Sequence, residues 1–131
     1  MNSFTILVAE DESLVREMLD DALQNDGYTV LTAEDGQQAQ RVLEKQPVDL
    51  VVTDLIMPER DGLELLIMVR DSYPKIPVIV ITAPSNNVYL PAARRLGAAY
   101  CFEKPLVLST FLAAIQALLE DPIAPSAEAR S

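Results

Sequence analysis

Four short apolar runs punctuate the chain: Ile6-Leu7-Val8-Ala9, Leu50-Val51-Val52, Val78-Ile79-Val80-Ile81 and Tyr100-Cys101-Phe102. They are continuous and mostly β-branched rather than alternating. That is the pattern of strands covered on both faces. A weaker run, Thr29-Val30-Leu31-Thr32-Ala33, reads as a fifth strand. Between the runs, apolar residues recur at helical spacing. Leu14, Val15, Met18, Leu19, Ala22 and Leu23 share one face of a first helix, with Ser13 as its expected N-cap and Gly27 as its stop. A second helix holds Ala39, Val42 and Leu43 and ends before Pro47. A third is expected from about Gly62 to Asp71 and a last from Leu108 to Glu120. Pro84, Asn86 and Asn87 predict a longer loop, followed by a short helix from about Val88 to Leu96 with Pro91 in its first turn.

The order is strand then helix, five times. That predicts an α/β fold: a doubly wound parallel sheet with helices on both faces and right-handed crossovers. Ligands of such sheets bind beyond the carboxyl ends of the strands. The residues following each strand therefore matter. They are Glu10 and Asp11 after the first, Asp54 after the third, Thr82 after the fourth and Lys104 after the fifth. Taken singly, each has a plain alternative. An acidic pair can cap a helix, a Thr can close a turn, and a Lys before Pro can be a solvated charge. Together they place three carboxylates, a hydroxyl and an ammonium at one mouth.

Composition narrows the chemistry. The chain has 131 residues, the size of one domain, and a net charge of -10 with no histidine and one cysteine. The acidic balance disfavours direct binding to nucleic acid or anionic lipid. Without histidine there is no His base, His ligand or phosphohistidine within the chain. One cysteine leaves neither an internal disulfide nor a thiolate zinc cluster. No apolar run approaches the ~18 residues of a membrane span, and the start of the chain lacks a signal-peptide pattern, so a cytoplasmic domain is expected. Residues 1–26 hold seven acids and a single base, Arg16. Crowded carboxylates repel, and a hard cation relieves that repulsion. Mg2+ takes oxygen ligands and keeps waters that a phosphate can replace. An ionised Asp needs no general base to accept a phosphoryl group.

At this point the sequence resembles the receiver domain of two-component response regulators. The resemblance rests on Ile6 to Glu12, on Asp49 to Gly62 with its Asp54-x-x-Met57-Pro58-x-x-x-Gly62 segment, on Pro77 to Ala83, and on Gly97-Ala98 through Lys104-Pro105. It covers about residues 4–120. It implies a flavodoxin-like (βα)5 sheet of strand order 2-1-3-4-5. It implies Asp54 as phosphoacceptor. It implies Mg2+ held by Glu10, Asp11, Asp54 and the Ile56 backbone carbonyl. Thr82 would be the switch hydroxyl with small Ala83 beside it, and Lys104 the phosphoryl-contacting lysine with a cis bond to Pro105. The donor would be a histidine kinase or histidine phosphotransfer protein, and output would pass to a downstream protein. Such a chain is not an enzyme but assists its own phosphorylation and dephosphorylation. A pseudo-receiver, a protein-binding module that works without phosphorylation, is the alternative. Residues 1–120 would form a stand-alone receiver, and 121–131 a disordered tail with no room for an output domain.

Two features depart from the family pattern, and two apolar positions bear on the lifetime of the phosphate. Cys101 stands where an aromatic usually reports phosphorylation, and strand alternation sends Tyr100 and Phe102 to the opposite face. Cys101 reads as a small buried hydrophobe. The 83–91 segment carries two prolines and two asparagines, as a neutral loop variation or as an altered output surface. Ile56 and Pro84, each two residues past Asp54 and Thr82, are apolar and cannot orient a hydrolytic water. A long-lived acyl phosphate is the expectation. An aspartyl-nucleophile phosphatase would place a second acid at the Ile56 position. A flavin protein would have a Gly/Ser/Thr-rich loop where Glu10-Asp11-Glu12 stands.

Overall fold

The computed structural model describes residues 3–57 and 61–120. The elements run β1 (Thr5–Ala9), α1 (Ser13–Asn25), β2 (Thr29–Ala33), α2 (Gly36–Lys45), β3 (Leu50–Asp54), α3 (Gly62–Ser72), β4 (Val78–Thr82), a 3-10 helix (Pro84–Tyr89), α4 (Leu90–Arg95), β5 (Tyr100–Glu103) and α5 (Leu108–Leu119). The strands form one parallel sheet in the order β2-β1-β3-β4-β5. This is the doubly wound architecture that the alternation of strand and helix predicts. The Pro58-Glu59-Arg60 part of the motif and the expected tail at 121–131 lie outside the described residues.

Two cores form because successive strand residues point to opposite faces. Ile6 and Val8 of β1, Val52 of β3, and Ile79 and Ile81 of β4 pack with Leu19 and Leu23 of α1 and Phe111 and Ile115 of α5. Leu7, Val51 and Val80 face the other way, against Ala39 and Leu43 of α2, Leu65, Leu66 and Val69 of α3, and Ala93 of α4. Every residue of β3 and β4 is buried, which explains the uninterrupted apolar runs. β2 and β5 lie at the sheet edges and are partly exposed. Each fully buried Leu, Ile or Val contributes on the order of 1.5–3 kcal/mol.

Helix starts differ from the expectation at one place. Ser13 is not the cap of α1 but its first residue. Glu12 is the N-cap, in extended conformation and without a side-chain cap bond. Its N–H instead donates to Glu10 Oε2 at 3.1 Å. The Glu10 carboxylate thus ties down the N-cap residue's own N–H, while α1 starts without a side-chain cap. α2 and α3 start as the propensity rules demand. Asp35 accepts from the Gln38 N–H at 2.8 Å and Asp61 from the Glu64 N–H at 3.0 Å. The expected loop before the fourth helix is not irregular either. It winds into the 3-10 helix Pro84–Tyr89, and α4 follows as six residues with Pro91 in its first turn. Pro91 lacks an N–H and so belongs at such a start.

Gly27, beyond the end of α1, has φ +96°, a conformation that favours glycine and lets the chain reverse into β2. Next to it, Tyr28 is buried, and its hydroxyl donates to the Glu120 carboxylate just past α5. Burial and then this acidic partner push the Tyr28 hydroxyl above its ordinary pKa.

Candidate functional site

The register aligns the carboxyl ends of four strands. Ala9 is opposite Thr53, Asp54 opposite Ile81 and Thr82 opposite Glu103. Side chains at the last residue of β3 and β4, and one residue beyond β1 and β5, therefore meet above the sheet. Glu10 is completely buried, Asp54 nearly so, and Thr82 completely. Lys104 joins them. Its Nζ lies 2.9 Å from Asp54 Oδ2, 3.0 Å from Glu12 Oε1 and 3.1 Å from Glu10 Oε1. The Lys104 N–H also donates to the Thr82 carbonyl at 2.8 Å, continuing the ladder past the strand. The Lys104-Pro105 bond is cis.

Charge at this mouth is unbalanced. One ammonium faces three carboxylates whose oxygens, from Glu10, Glu12 and Asp54, lie within 4.8 Å of one another. Burial, and then the Asp54 charge, push the Glu10 carboxyl up to about 7. Burial alone would lower the Lys104 pKa. Its hydrogen bonds to Asp54 and Glu12 outweigh that and hold it above the ordinary range. Glu10 Oε1 is buried and faces the Lys104 ammonium at 3.1 Å, with no further donor to it among the described residues. Three crowded carboxylate oxygens sharing a single ammonium are the donor set a divalent cation such as Mg2+ takes. The residues present therefore fit the ion that the sequence implies.

The expected residues are not all equally placed. Glu10, Asp54, Thr82 and Lys104 converge. Asp11 is exposed, and the third carboxylate of the cluster is Glu12. Strand-like alternation carries a residue and its second neighbour to the same side. Glu10 and Glu12 share a side on that rule, which is the signal that would have found Glu12. Ile56 is partly exposed at the rim, and its N–H points to Asp54 Oδ1 at 3.4 Å. Thr82 donates its hydroxyl to the Ala83 carbonyl at 3.3 Å, and Ala83 caps the 3-10 helix. Cys101 pairs with Val80 across β4 and β5 and packs into the α2–α4 side of the sheet, while Tyr100 and Phe102 pack on the α1–α5 side. Burial, opposed by nearby Arg94, raises the Cys101 thiol, consistent with an inert packing role.

Gly62, singled out in the sequence by its spacing from Asp54, owes its part to a backbone contact that spacing alone does not show. A Cβ on Gly62 would lie 2.0 Å from the Asp54 carbonyl oxygen and 2.8 Å from the Leu55 backbone. The Gly62 N–H donates to the Leu55 carbonyl at 2.8 Å. The start of α3 thus rests directly on the backbone that presents Asp54, and only glycine allows that approach.

The sequence profile of the family described as response regulator receiver domain matches residues 6–116. The response regulator GtcR of Aneurinibacillus migulanus is 36% identical over 117 residues, 89% of this chain and 48% of that protein. The transcriptional regulatory protein GlrR of Escherichia coli is 34% identical over 125 residues, 95% of this chain and 28% of that protein. This chain thus spans half or less of those two relatives. Among solved structures, the chemotaxis response regulator CheY4 of Vibrio cholerae superposes with a TM-score of 0.82 at 28% identity, covering 90% of this chain and all of that one. The response regulator TrrA of Thermotoga maritima, solved in complex with Mg(2+)-BeF, has a TM-score of 0.80 at 29% identity, over 88% of this chain and 99% of that one. The family profile covers most of the chain and the fold superposes on these solved structures, and the chain belongs to the response regulator receiver domain family.

Proposed function

We propose that this receiver accepts a phosphoryl group on Asp54 from a phosphohistidine of a histidine kinase or phosphotransfer protein, and signals by protein contact. The observation that carries the reading is the Lys104 ammonium 2.9 Å from Asp54 Oδ2, inside a carboxylate cluster that needs a second cation. In the step itself, a carboxylate oxygen of Asp54 forms a bond to phosphorus. The phosphorus–nitrogen bond breaks, and the donor imidazole leaves with the electron pair and takes up a proton. A carboxylate nucleophile needs no base. Lys104 is placed to hold a phosphoryl oxygen as a point charge.

Mg2+, when bound, neutralises charge on the transferring group. Glu10 and Asp54 would hold it, with the Ile56 carbonyl. A further carboxylate would come from the β1–α1 turn, Asp11 on the resemblance and Glu12 on the present geometry. Glu12 is mostly exposed, so its ion pair with Lys104 is worth little and is readily given up. Thr82 would then turn its hydroxyl from the Ala83 carbonyl to the phosphoryl group and pull on the 3-10 segment. An apolar groove of about 430 Å³ beside Lys104, lined by Val15, Met18, Pro84, Pro105 and Leu106, suits a protein donor better than a small charged one. The chain acts as a signalling partner and not as an enzyme with turnover of its own.

The test is chemical. With Mg2+ and acetyl phosphate, the intact protein gains one phosphoryl group by mass spectrometry, and Asp54→Ala gains none. Uptake that persists in Asp54→Ala would place the acceptor elsewhere. No uptake at all would favour a module that binds partners without phosphorylation.

A further inference from the structure

Arg16 is the one base among the first 26 residues, and it is embedded in the acidic corner without serving as a partner to Asp54. From α1 it reaches back over the β1–α1 turn. Its Nη1 donates to the Glu10 carbonyl at 2.8 Å and to the Asp11 carbonyl at 3.5 Å. Its Nη2 lies 3.9 Å from Glu34 Oε2. The Arg16 side chain is only 18% exposed whereas that of Glu34 is 65% exposed, so the ion pair contributes little and the carbonyl contacts are the anchor.

Those carbonyls belong to two particular peptide planes. The Asp11 carbonyl shares its plane with the Glu12 N–H, and that N–H donates to Glu10 Oε2 at 3.1 Å. One plane is therefore gripped at both ends, by the guanidinium and by the Glu10 carboxylate. The Glu10 carbonyl lies in the plane before it. Fixing both planes fixes the directions in which Glu10, Asp11 and Glu12 leave the backbone. A single amino group, Nη1, reaches both carbonyls, closely at Glu10 and at the limit of hydrogen-bond distance at Asp11, while Nη2 turns toward Glu34.

We propose that Arg16 is a positioning residue that locks the β1–α1 turn and thereby sets the cation affinity of the carboxylate mouth. The inference rests on the Mg2+ reading above. It makes a prediction opposite to simple electrostatics. A positive charge near a cation site repels the cation, so removing it by charge alone would tighten Mg2+ binding. If Arg16 preorganises the turn, removing it weakens binding.

Calorimetric titration of the full chain with Mg2+ separates the two. Arg16→Gln is expected to weaken Mg2+ binding about tenfold, the range typical of outer-sphere partners. Arg16→Lys, which keeps the charge but has a shorter reach and no second amino group for Glu34, is expected to fall between Arg16→Gln and the unmodified protein. Thermal melts without Mg2+ check that each variant is folded. If Arg16→Gln does not fold, Arg16→Lys alone decides. Mg2+ binding that is unchanged or tighter in the folded variants would overturn the proposal. If the unmodified protein binds no Mg2+, the metal reading fails first and takes this inference with it.

Discussion

The two sides of the site mouth are built differently. On one side, β1 and β3 end in a corner that is buried and constrained several times over. Glu10 and Asp54 are closed off from solvent, and the start of α3 presses on the Asp54 backbone through Gly62. On the other side, β4 and β5 lead into a thinner structure. The 3-10 helix Pro84–Tyr89 has no buried residue and no side-chain cap, and Val88 and Tyr89 stand exposed. One contact that steadies it is the Asn87 side-chain amide donating to the Glu103 carboxylate at 3.1 Å, at an exposed position. α4 is six residues long. The difference matches two tasks. A phosphoacceptor needs fixed geometry around charge. An element that must move on signal is drawn from the weakly held part of a fold.

The largest expected effect breaks the constrained side. Gly62→Ala would force a methyl group into the Asp54 carbonyl. It should cost about 3 kcal/mol of stability by chemical denaturation and slow phosphoryl uptake at Asp54. An unchanged midpoint and rate would mean that α3 does not brace the acceptor. A second change acts at the rim. Ile56→Asn places an amide at a partly exposed position next to Asp54, where it can orient water. Loss of phosphate should quicken several-fold, to the extent that one oriented water lowers the barrier by about 1 kcal/mol. Decay followed by mass spectrometry at an unchanged rate would count against it.

The smallest effect lies away from the mouth and serves as the contrast. Tyr28 ties the α1–β2 turn to the end of α5 through Glu120. Its hydroxyl pKa is raised in the fold above the ordinary value of 10.0, first by burial and then by Glu120. A group whose pKa is raised on folding contributes stability that is full below its unfolded value and lost as pH rises through its folded one. The protein should therefore lose stability above about pH 10 in part through Tyr28. Tyr28→Phe should cost about 1 kcal/mol at pH 7, flatten the alkaline loss and leave phosphoryl uptake unchanged. An undiminished alkaline slope in the variant would assign it to other groups.

Much of this was legible in the residues. β-branched runs fix buried strands because both faces of the sheet are covered, and strand ends then supply Glu10, Asp54, Thr82 and Lys104. What was hidden depends on contacts between segments far apart in the chain. Glu12 joins the cluster because Lys104, 92 residues later, draws its carboxylate in. Ser13 is drawn into the first turn of α1, with Glu12 before it held in extended conformation by its N–H bond to Glu10. The 83–91 stretch reads as turn residues, yet proline and asparagine also satisfy the tighter winding of a 3-10 helix. Gly62 looks like an ordinary helix start until the Asp54 carbonyl beneath it is seen.

The central claim is that Glu10, Asp54, Thr82 and Lys104 act as one phosphoryl site completed by Mg2+. Amide spectra of isotope-labelled protein, taken with beryllofluoride before and after Mg2+, test it most directly. The account predicts shifts at Asp54, Thr82 and Lys104 that spread into the 3-10 segment, require Mg2+ and vanish in Asp54→Ala. Shifts that arise equally without Mg2+, or that bypass Asp54 and Thr82, would contradict it.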